Sequence, residues 1–327
     1  MKRSLRLKLL CGFAFALTLG AARPGAAAPL KIGYSDWPGW VAWQVAIDKG
    51  WFKQAGVDVD FEWFDYGASI DAFSAGKLDA NLVTNGDALV IAGSGTKNAM
   101  IMVTDYSDGN DIIVAKPGIK SLKDLKGQKI GIEVGLVENL LLLDGLKKNG
   151  MTDADVQIVN VKTNETPQVL ASGGVAAIGA WQPNAGEAMR ALPGSRGVFT
   201  SAQEPGLIYD VLAVSPESLN ARRADYAKLF KVWDRVVAYI NDPATQPDAL
   251  KIMSARDGLT PAEYKKFLKG TRLLTVAEGK KVFMKAPGFG SLYGSSEVAN
   301  DFNVKYNVYK TPLDVSAYID PSLIEAQ

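Results

Sequence analysis

From residue 30 onward, short apolar strands alternate with helices of about 10–15 residues. The segments LKIGYS, LDANLVT, DIIVAKPG, QKIGIEV and VAAIGAW have the apolar content of buried strands, and VDVDFEWF alternates as a half-buried strand does. This alternation predicts an α/β fold in which each sheet is mostly parallel and is flanked by helices. It runs through two units, at about 30–111 and 120–205, and helical segments follow Ser215. The sequence therefore predicts two lobes and a helical tail.

Residues 1–28 have a different character from the rest of the chain. A basic segment, MKRSLRLK, precedes an apolar run of 12 residues, and small residues follow. This order is typical of a secretory signal peptide cleaved near Ala27 or Ala28, and the apolar run is shorter than the roughly 20 residues of a membrane span. Cleavage would leave 31 basic and 35 acidic residues, a net charge of −4. We therefore expect an exported, periplasmic protein.

The composition excludes several classes of function. The chain of 327 residues has no histidine, and its only cysteine, Cys11, lies in the predicted signal peptide. The mature chain therefore lacks the residues of Ser-His-Asp and Cys-His catalysis and of most zinc sites. The full chain has a net charge of +1 and no basic stripe, which argues against nucleic acid as a partner. We expect no catalytic residues, no metal and no cofactor.

Several segments resemble the periplasmic substrate-binding proteins of nitrate/sulfonate/taurine-type ABC importers. They are GYSDWPGWVAWQVAIDKGWFKQAGVDVDF, FSAGKLDANLVTNGDAL, IIVAKPGIKSLKDLKGQKIGIEVG and VLASGGVAAIGAWQPN. The resemblance implies a two-lobed periplasmic-binding-protein type II fold with a two-strand hinge. It also implies a monomer that closes on a small-molecule solute and delivers it to a membrane permease with a cytoplasmic ATPase. On this pattern lobe 1 is 29–111 plus 213–327, lobe 2 is 112–212, and DIIVAKP and YDVLAVS are the crossing strands.

The loops at the carboxyl ends of the predicted strands are where such a fold binds its ligand. They contain nine acids and no lysine or arginine: Asp36, Asp65, Asp87, Asp105, Asp108, Asp111, Glu133, Glu138 and Glu165. Aromatic residues flank the same loops: Trp37, Trp40, Tyr66, Tyr106 and Trp181. Carboxylates accept N–H donors, and ring faces attract cations. The pattern predicts a small, nitrogen-rich, cationic or N–H-donating solute such as guanidinium, an amidine or urea.

From these loops we predict a set of ligand-binding residues: Asp36, Trp37, Thr84, Asn85, Asp87, Tyr106, Glu138, Glu165 and Trp181. Several acids have a structural alternative. Asp36 can cap the helix that follows it, and Asp87 and Glu138 can stabilise the first turns of helices. In relatives that bind anions, the loop that holds Glu138 is often rich in hydroxyl residues, and a carboxylate there would repel an anion.

Other functions stay open at this stage. Family resemblance allows the same binding role for an anion such as taurine, an aliphatic sulfonate or nitrate. A thiamine-pyrimidine precursor as ligand, or a role beside a membrane sensor, are more remote alternatives. An enzyme could use Glu138 and Glu165 for acid–base chemistry, but the fungal pyrimidine synthase that the family resembles relies on histidine and cysteine. Asp105, Asp108 and Asp111 are expected in a solvated hinge turn. We predict a binding protein and not an enzyme.

Overall fold

The computed structural model describes residues 28–327, so the predicted signal peptide at 1–28 lies almost wholly outside the described residues and stays a prediction. The first sheet contains β1 (Leu30–Tyr34), β2 (Val59–Trp63), β3 (Ala80–Thr84), β4 (Ala99–Ser107), β10 (Tyr209–Val214) and β11 (Thr271–Leu273). The second contains β5 (Asp111–Ala115), β6 (Lys129–Ile132), β7 (Gln157–Asn160), β8 (Ala177–Trp181) and β9 (Arg196–Thr200). The strands predicted between 30 and 215 are all present, with ends that shift by a few residues.

Helices flank both sheets and form the tail. They are α1 (Pro38–Val41), α2 (Trp43–Asp48), α3 (Trp51–Gln54), α4 (Tyr66–Ser74), α5 (Asn85–Gly93), α6 (Val137–Lys148), α7 (Thr166–Ala171), α8 (Asn184–Ala191), α9 (Pro216–Asn241), α10 (Gln246–Arg256), α11 (Pro261–Phe267), α12 (Val276–Val282) and α13 (Leu292–Lys305). Within residues 28–327, none of these helices has both the length and the apolar character needed to cross a bilayer.

Both sheets are mixed. The first has the order β11-β4-β10-β3-β1-β2, in which β1 is parallel to β2 and β3 while β10 is antiparallel to β3 and β4. The second has the order β7-β6-β8-β5-β9, in which β5 is antiparallel to β8 and β9. The two-lobed α/β fold class is confirmed, and most strands of each sheet run in one direction: β1–β4 in the first and β6–β9 in the second, with β10, β11 and β5 reversed. Strands β5 and β10 each enter a sheet from the opposite lobe and run against the strands beside them.

The chain passes between the two sheets at 108–110 and again at 201–208. Strand β5 follows the first crossing and β10 follows the second, so the two segments expected to cross lie directly after the crossings. The lobe boundaries stay a prediction. Strand pairing places Asp111 in the second sheet and the whole of Tyr209–Val214 in the first, a few residues away from the expected divisions.

Two local features differ from expectation. The segment from Trp40 to Phe52 has the apolar pattern of one helix, but the chain there forms α1, α2 and α3. Gly50 separates the last two with a φ of 65°, a left-handed conformation that ends a helix and that glycine adopts without strain. Strand β11 is not among the predicted elements, because three residues carry too little pattern to identify a strand.

The tail packs on the first sheet through two buried tryptophans. Trp43 on α2 and Trp233 on α9 are each at most 1% exposed, with their ring centroids 4.7 Å apart. The indole Nε1 of Trp233 donates to the carbonyl oxygen of Leu274 at 2.7 Å, which joins α9 to the segment after β11. This contact fixes the tail against the lobe that carries most of the cleft loops.

We expect Trp233→Ala to lower the free energy of unfolding by about 3–5 kcal/mol, because it leaves a large cavity and an unpaired carbonyl. The exposed Lys231→Ala on the same helix should stay within about 0.5 kcal/mol of the wild type. Urea unfolding followed by circular dichroism measures both. Equal effects of the two substitutions would contradict the role given to this contact.

Candidate functional site

A small enclosed cavity lies at the junction of the two lobes. Its volume is about 10 Å³, room for about one water molecule. The first lobe contributes the loop after β1, the start of α4, the end of β3 and the start of β10, and the second contributes the start of β5, the start of α6 and the end of β8. The lining residues are Trp37, Trp40, Tyr66, Thr84, Asp111, Val137, Trp181, Ile208 and Asp210. Both lobes therefore build one site.

Aromatic rings form much of the cavity wall. Trp40 stacks on Tyr66 with ring centroids 5.3 Å apart, and Trp181 from the second lobe meets Tyr66 edge-on at 5.3 Å. Trp37 lies edge-on to Trp40 at 6.5 Å. All four rings are at most 4% exposed. The negative faces of such rings attract a cation most strongly where water is excluded.

Five carboxyl groups surround this cavity and are buried: Asp87, Asp105, Asp111, Glu138 and Asp210. The buried side chains of residues 28–327 include no lysine or arginine. Strand pairing sets much of this geometry, because Asp210 lies opposite Asp105 between β10 and β4, and Asp111 lies opposite Trp181 between β5 and β8. An ordinary protein interior would place a basic partner beside such groups.

Some of these oxygens are satisfied within the protein. Asp105 accepts from the Nε1 of Trp37 at 2.7 Å and from the hydroxyl of Thr104 at 2.8 Å. Asp87 accepts from the hydroxyl of Tyr66 at 2.6 Å. In contrast, one oxygen of Asp111, one of Asp210 and both of Glu138 are buried with no donor except a neighbouring carboxyl, since Asp111 lies beside Glu138 and Asp210 beside Asp105. Asp111 and Asp210 also line the cavity.

Burial raises the pKa of every carboxyl in this set. It raises the pKa of Asp87 to about 7 and those of Asp105 and Asp111 to about 6. Burial, with the nearby charge of Asp111, raises the pKa of Glu138 well above its ordinary range, and burial with Asp105 does the same to Asp210. Low-dielectric surroundings disfavour the charged form when no cation compensates it.

Two glycines allow this crowding. A Cβ on Gly39 of α1 would collide with the carboxylate of Asp105. A Cβ on Gly179 of β8 would lie 3.1 Å from the Cβ of Glu138. Because neither glycine has a side chain, the helix and the strand can approach the acids closely.

Asp36 connects the lobes at the outer side of the cavity. Its carboxylate accepts from Nε1 of Trp181 at 2.8 Å and from Nδ2 of Asn184 at 2.7 Å, both in the second lobe. Burial raises the pKa of Asp36, and the two donors act in the opposite direction. These bonds hold the cleft closed and orient the Trp181 ring over the cavity.

Outside this closure lies a larger cleft of about 650 Å³, lined by both lobes. Tyr66 and Trp181 border both spaces, so the large cleft lies next to the small cavity. Its wall holds four acids and one lysine: Asp36, Asp65, Asp71, Glu133 and Lys162. An acidic cleft of this kind concentrates small cations.

The structure brings six of the nine predicted residues to this junction. Trp37, Thr84 and Trp181 line the small cavity, and Asp36 lines the larger cleft. Asp87 and Glu138 are 2% and 1% exposed and belong to the surrounding set of carboxyls. Thr84 also caps α5, since its hydroxyl accepts from the backbone N–H of Asp87 at 3.1 Å.

The other three predicted residues lie elsewhere. The amide of Asn85 is fully engaged inside the first lobe, where its Nδ2 donates to Ser295 and Ser296 and its Oδ1 accepts from the backbone of Tyr209. Tyr106 packs edge-on against Tyr209, with ring centroids 5.8 Å apart, and lines neither cleft. Glu165 is exposed, because the short turn that precedes α7 directs it outward.

Three buried acids next to the crossings, Asp105, Asp111 and Asp210, were not predicted as ligand-binding residues. Asp105 and Asp111 were expected in a solvated turn, but they are 0% and 2% exposed, and Asp210 was not considered. The expectation is wrong because both strands that carry the crossings run through the junction. A usable signal was present, since each acid stands in or beside an apolar strand, as in YDVLAV and DIIVA. Within residues 28–327, no group of three or more acids has the arrangement of a metal site.

The two α/β sheets, the double crossing and the cavity between lobes define the periplasmic-binding-protein type II architecture, as the sequence resemblance implied. The chain belongs to the family described as NMT1/THI5 like, whose sequence profile matches residues 37–246.

Sequence relatives include a Brucella abortus (strain 2308) protein named as a binding protein, which is 28% identical over 89% of each chain. The taurine-binding periplasmic protein of Escherichia coli (strain K12) is 24% identical over 70% of this chain and 73% of that protein.

Solved structures with the same fold include the alkanesulfonate-binding protein SsuA from Xanthomonas axonopodis pv. citri bound to MOPS. It matches with a TM-score of 0.75 and 16% identity over 90% of this chain and 100% of that one. The desulfurization enzyme DSZB also matches, with a TM-score of 0.64 and 15% identity over 92% of this chain and 98% of that one. The fold alone therefore does not separate binding from catalysis, and the site must decide.

Because its amide joins three elements inside the first lobe, Asn85 should act on stability and not on ligand binding. We expect Asn85→Ala to lower the free energy of unfolding by about 1–3 kcal/mol, since it leaves the buried N–H of Tyr209 without a partner. The exposed Asn241→Ala at the end of α9 is the matched control. Urea unfolding measures the loss in the free energy of unfolding. A loss of ligand affinity in the folded variant would show that Asn85 contributes to ligand binding.

The raised pKa values predict an unusual dependence of stability on pH. A carboxyl with a raised pKa in the folded state contributes stability that is complete below its unfolded value near 4 and is lost as the pH rises through the folded value. For a group raised to about 6, as in Asp111, the loss is about 3 kcal/mol. We therefore expect the free energy of unfolding of the ligand-free protein to fall from pH 5 to pH 8.

Urea unfolding at pH 5, 6, 7 and 8 measures this slope. Asp111→Asn removes one of the titrating groups and should flatten the profile, whereas the exposed Glu165→Gln should leave it unchanged. A wild-type profile that stays level or rises over this interval would show that the five acids are compensated by some other means.

Proposed function

We propose that this protein is the periplasmic substrate-binding component of an ABC importer and that its solute is a small, nitrogen-rich cation of the guanidinium or amidine type. The observation that carries the proposal is the enclosed interlobe cavity, which is walled by aromatic rings and bordered by buried carboxyl oxygens without a basic residue.

The transport role is supported by the family and by what the relatives are named for. A binding protein of this type closes its two lobes around a solute and presents the closed form to a membrane permease, which a cytoplasmic ATPase drives. The bonds from Trp181 and Asn184 to Asp36 span the lobes and are suited to stabilise such a closed form. In this role the protein binds and releases its solute unchanged.

The carboxyl oxygens at the cavity favour a positively charged ligand. The buried oxygens of Asp111 and Asp210 can each take an N–H donor from the ligand, and a planar cation presents several such donors around its edge. The faces of Trp40, Tyr66 and Trp181 supply cation–π attraction worth roughly 0.5–2 kcal/mol each. Neutral urea offers the same edge of N–H groups without the charge, so it is the next candidate.

A compact ligand suits the closed cavity best. A space of about 10 Å³ holds about one water molecule, so any solute at this position requires the walls to move outward. A compact, planar cation requires the smallest movement, and an extended side chain or a ring system would keep Trp181 from reaching Asp36. Guanidinium is therefore our first candidate, ahead of larger guanidino compounds.

An anionic solute is the alternative, because relatives with this fold are named for taurine and alkanesulfonates. At this junction an anion would meet five acids and no buried cation. The same five carboxyls would have to stay protonated for an anion to approach, which is unfavourable at neutral pH for those with a pKa of about 6.

A thermal-shift screen of the mature protein tests the proposal. The panel holds guanidinium, acetamidine, urea, arginine, a thiamine-pyrimidine precursor, taurine, an alkylsulfonate and nitrate, each at about 1 mM and equal ionic strength. A ligand present at about 100 times its Kd adds roughly 2.7 kcal/mol, a shift of several degrees. We expect the largest shift with guanidinium, a smaller one with urea and none with the anions.

Calorimetry on two variants locates the site. Asp111→Asn removes one charged acceptor at the cavity and should weaken guanidinium binding by roughly 10–100-fold. Glu165→Gln, which changes an exposed acid of the second lobe, should bind as the wild type does. Binding of taurine, a sulfonate or nitrate without guanidinium binding would refute the cationic solute and leave the transport role standing.

A further inference from the structure

The buried carboxyls form two facing pairs. Asp105 and Asp210 lie opposite each other on neighbouring antiparallel strands, where side chains of directly opposed residues share one face of the sheet. Asp111 and Glu138 form the second pair between β5 and the first turn of α6, where their side chains are hydrogen-bonded and the charge of Asp111 acts most strongly on Glu138. Two carboxyls held this close cannot both ionise in low dielectric, so each pair shares a proton.

The other ionisable groups around the pairs do not relieve this charge. The charge of Asp87 on α5 raises the pKa values of both Glu138 and Asp210. Asp87 itself lies near the Tyr66 hydroxyl on α4 and the carboxyl of Glu133 beyond β6. Tyr264 on α11 faces Asp105 with its neutral phenol. In the described part of the chain, no lysine or arginine contributes to the pKa shift of any of the five acids.

We infer that the solute cation enters this site in exchange for protons that the pairs Asp105–Asp210 and Asp111–Glu138 hold when the site is empty. The inference rests on the proposed function, because it concerns the same cavity and requires a cationic ligand. It adds that protons occupy the place of the missing counter-ion in the empty protein.

The balance of the exchange is simple. A carboxyl O–H of a pair loses its proton to water and buffer, the electron pair stays on the oxygen, and the cation takes over the compensation of that charge. One proton released for each monovalent cation bound keeps the net charge of the cavity constant. Neutral urea brings no charge, so its binding should release no proton.

A dependence of affinity on pH follows. While the pairs hold their protons, each unit of pH should strengthen cation binding by up to tenfold for each proton exchanged, and the effect should level off once the pairs are ionised. Asp105 and Asp111, whose pKa values are about 6, lose their protons near pH 6. In contrast, burial and the neighbouring carboxyl raise the pKa values of Asp210 and Glu138 well above the ordinary range, so one shared proton per pair remains at higher pH.

Titration calorimetry of the mature protein with guanidinium chloride at pH 6.5 tests the exchange. The experiment is run in phosphate, cacodylate and Bis-Tris, buffers that differ in their enthalpy of protonation and that contain neither a planar N–H cation nor a sulfonate. We expect the observed heat to vary linearly with that enthalpy, with a slope that corresponds to about one proton released per cation. Urea, where it binds, should give the same heat in all three buffers.

Variants identify the source of the proton. Asp210→Asn and Glu138→Gln place a neutral amide where a protonated acid stands, and each should reduce the number of protons released and weaken guanidinium binding. Glu165→Gln should release the same number as the wild type. If one paired variant fails to fold, the other and the wild-type buffer series still decide the question.

The outcomes separate the two proposals. Guanidinium heats that are equal in all buffers would overturn the exchange while leaving the cation-binding role intact. An absence of guanidinium binding under every condition would overturn the proposed solute and, with it, the exchange. Proton release that persists unchanged in both paired variants would show that the protons come from groups outside these pairs.

Discussion

A carboxylate taken out of water costs several kcal/mol unless a cation or hydrogen-bond donors replace the water that it loses. The lobe junction holds five such groups, and within residues 28–327 their donors are a tryptophan, a tyrosine and a few hydroxyl and backbone groups. In the proposed exchange, protons compensate the acids of the empty site and a bound cation replaces them. The raised pKa values and the carboxyl oxygens without other donors are consequences of this single imbalance.

The reversed strands create the junction. Strands β5 and β10 follow the two crossings, and each begins with or beside a buried acid, Asp111 and Asp210. A strand that enters its sheet from the other lobe brings its first residues to the space between the lobes. The mixed character of the sheets and the position of the acids thus have one cause, and movement of the lobes about these crossings would change the surroundings of both acids together.

Sequence patterns could predict the strands, the two units and the acidic, aromatic character of the cleft, because apolar periodicity and loop composition are local properties. They placed Asp36 and Trp181 correctly near the junction, since both residues stand at the carboxyl end of a strand. They failed for Asp105, Asp111 and Asp210, because the apolar strands around these acids indicate burial, but no local pattern shows that the two lobes meet there. They failed for Asn85 in the opposite sense, as its partners Ser295 and Ser296 lie more than 200 residues away.

The cation that we propose differs in charge from the alkanesulfonates for which a protein with the same fold is named, and a few groups at the junction account for this difference. Helix N-termini that point into a cleft normally offer free N–H groups to an anion. Here two of these N–H groups form hydrogen bonds within the protein. The backbone N–H of Val137, at the start of α6, donates to the carboxylate of Asp87, and the backbone N–H of Asp87 donates to the Thr84 hydroxyl. Because these two N–H groups are already hydrogen-bonded, they are not free to bind an anion. The buried carboxyls, including Glu138 in the first turn of α6, would accept hydrogen bonds from a cation instead.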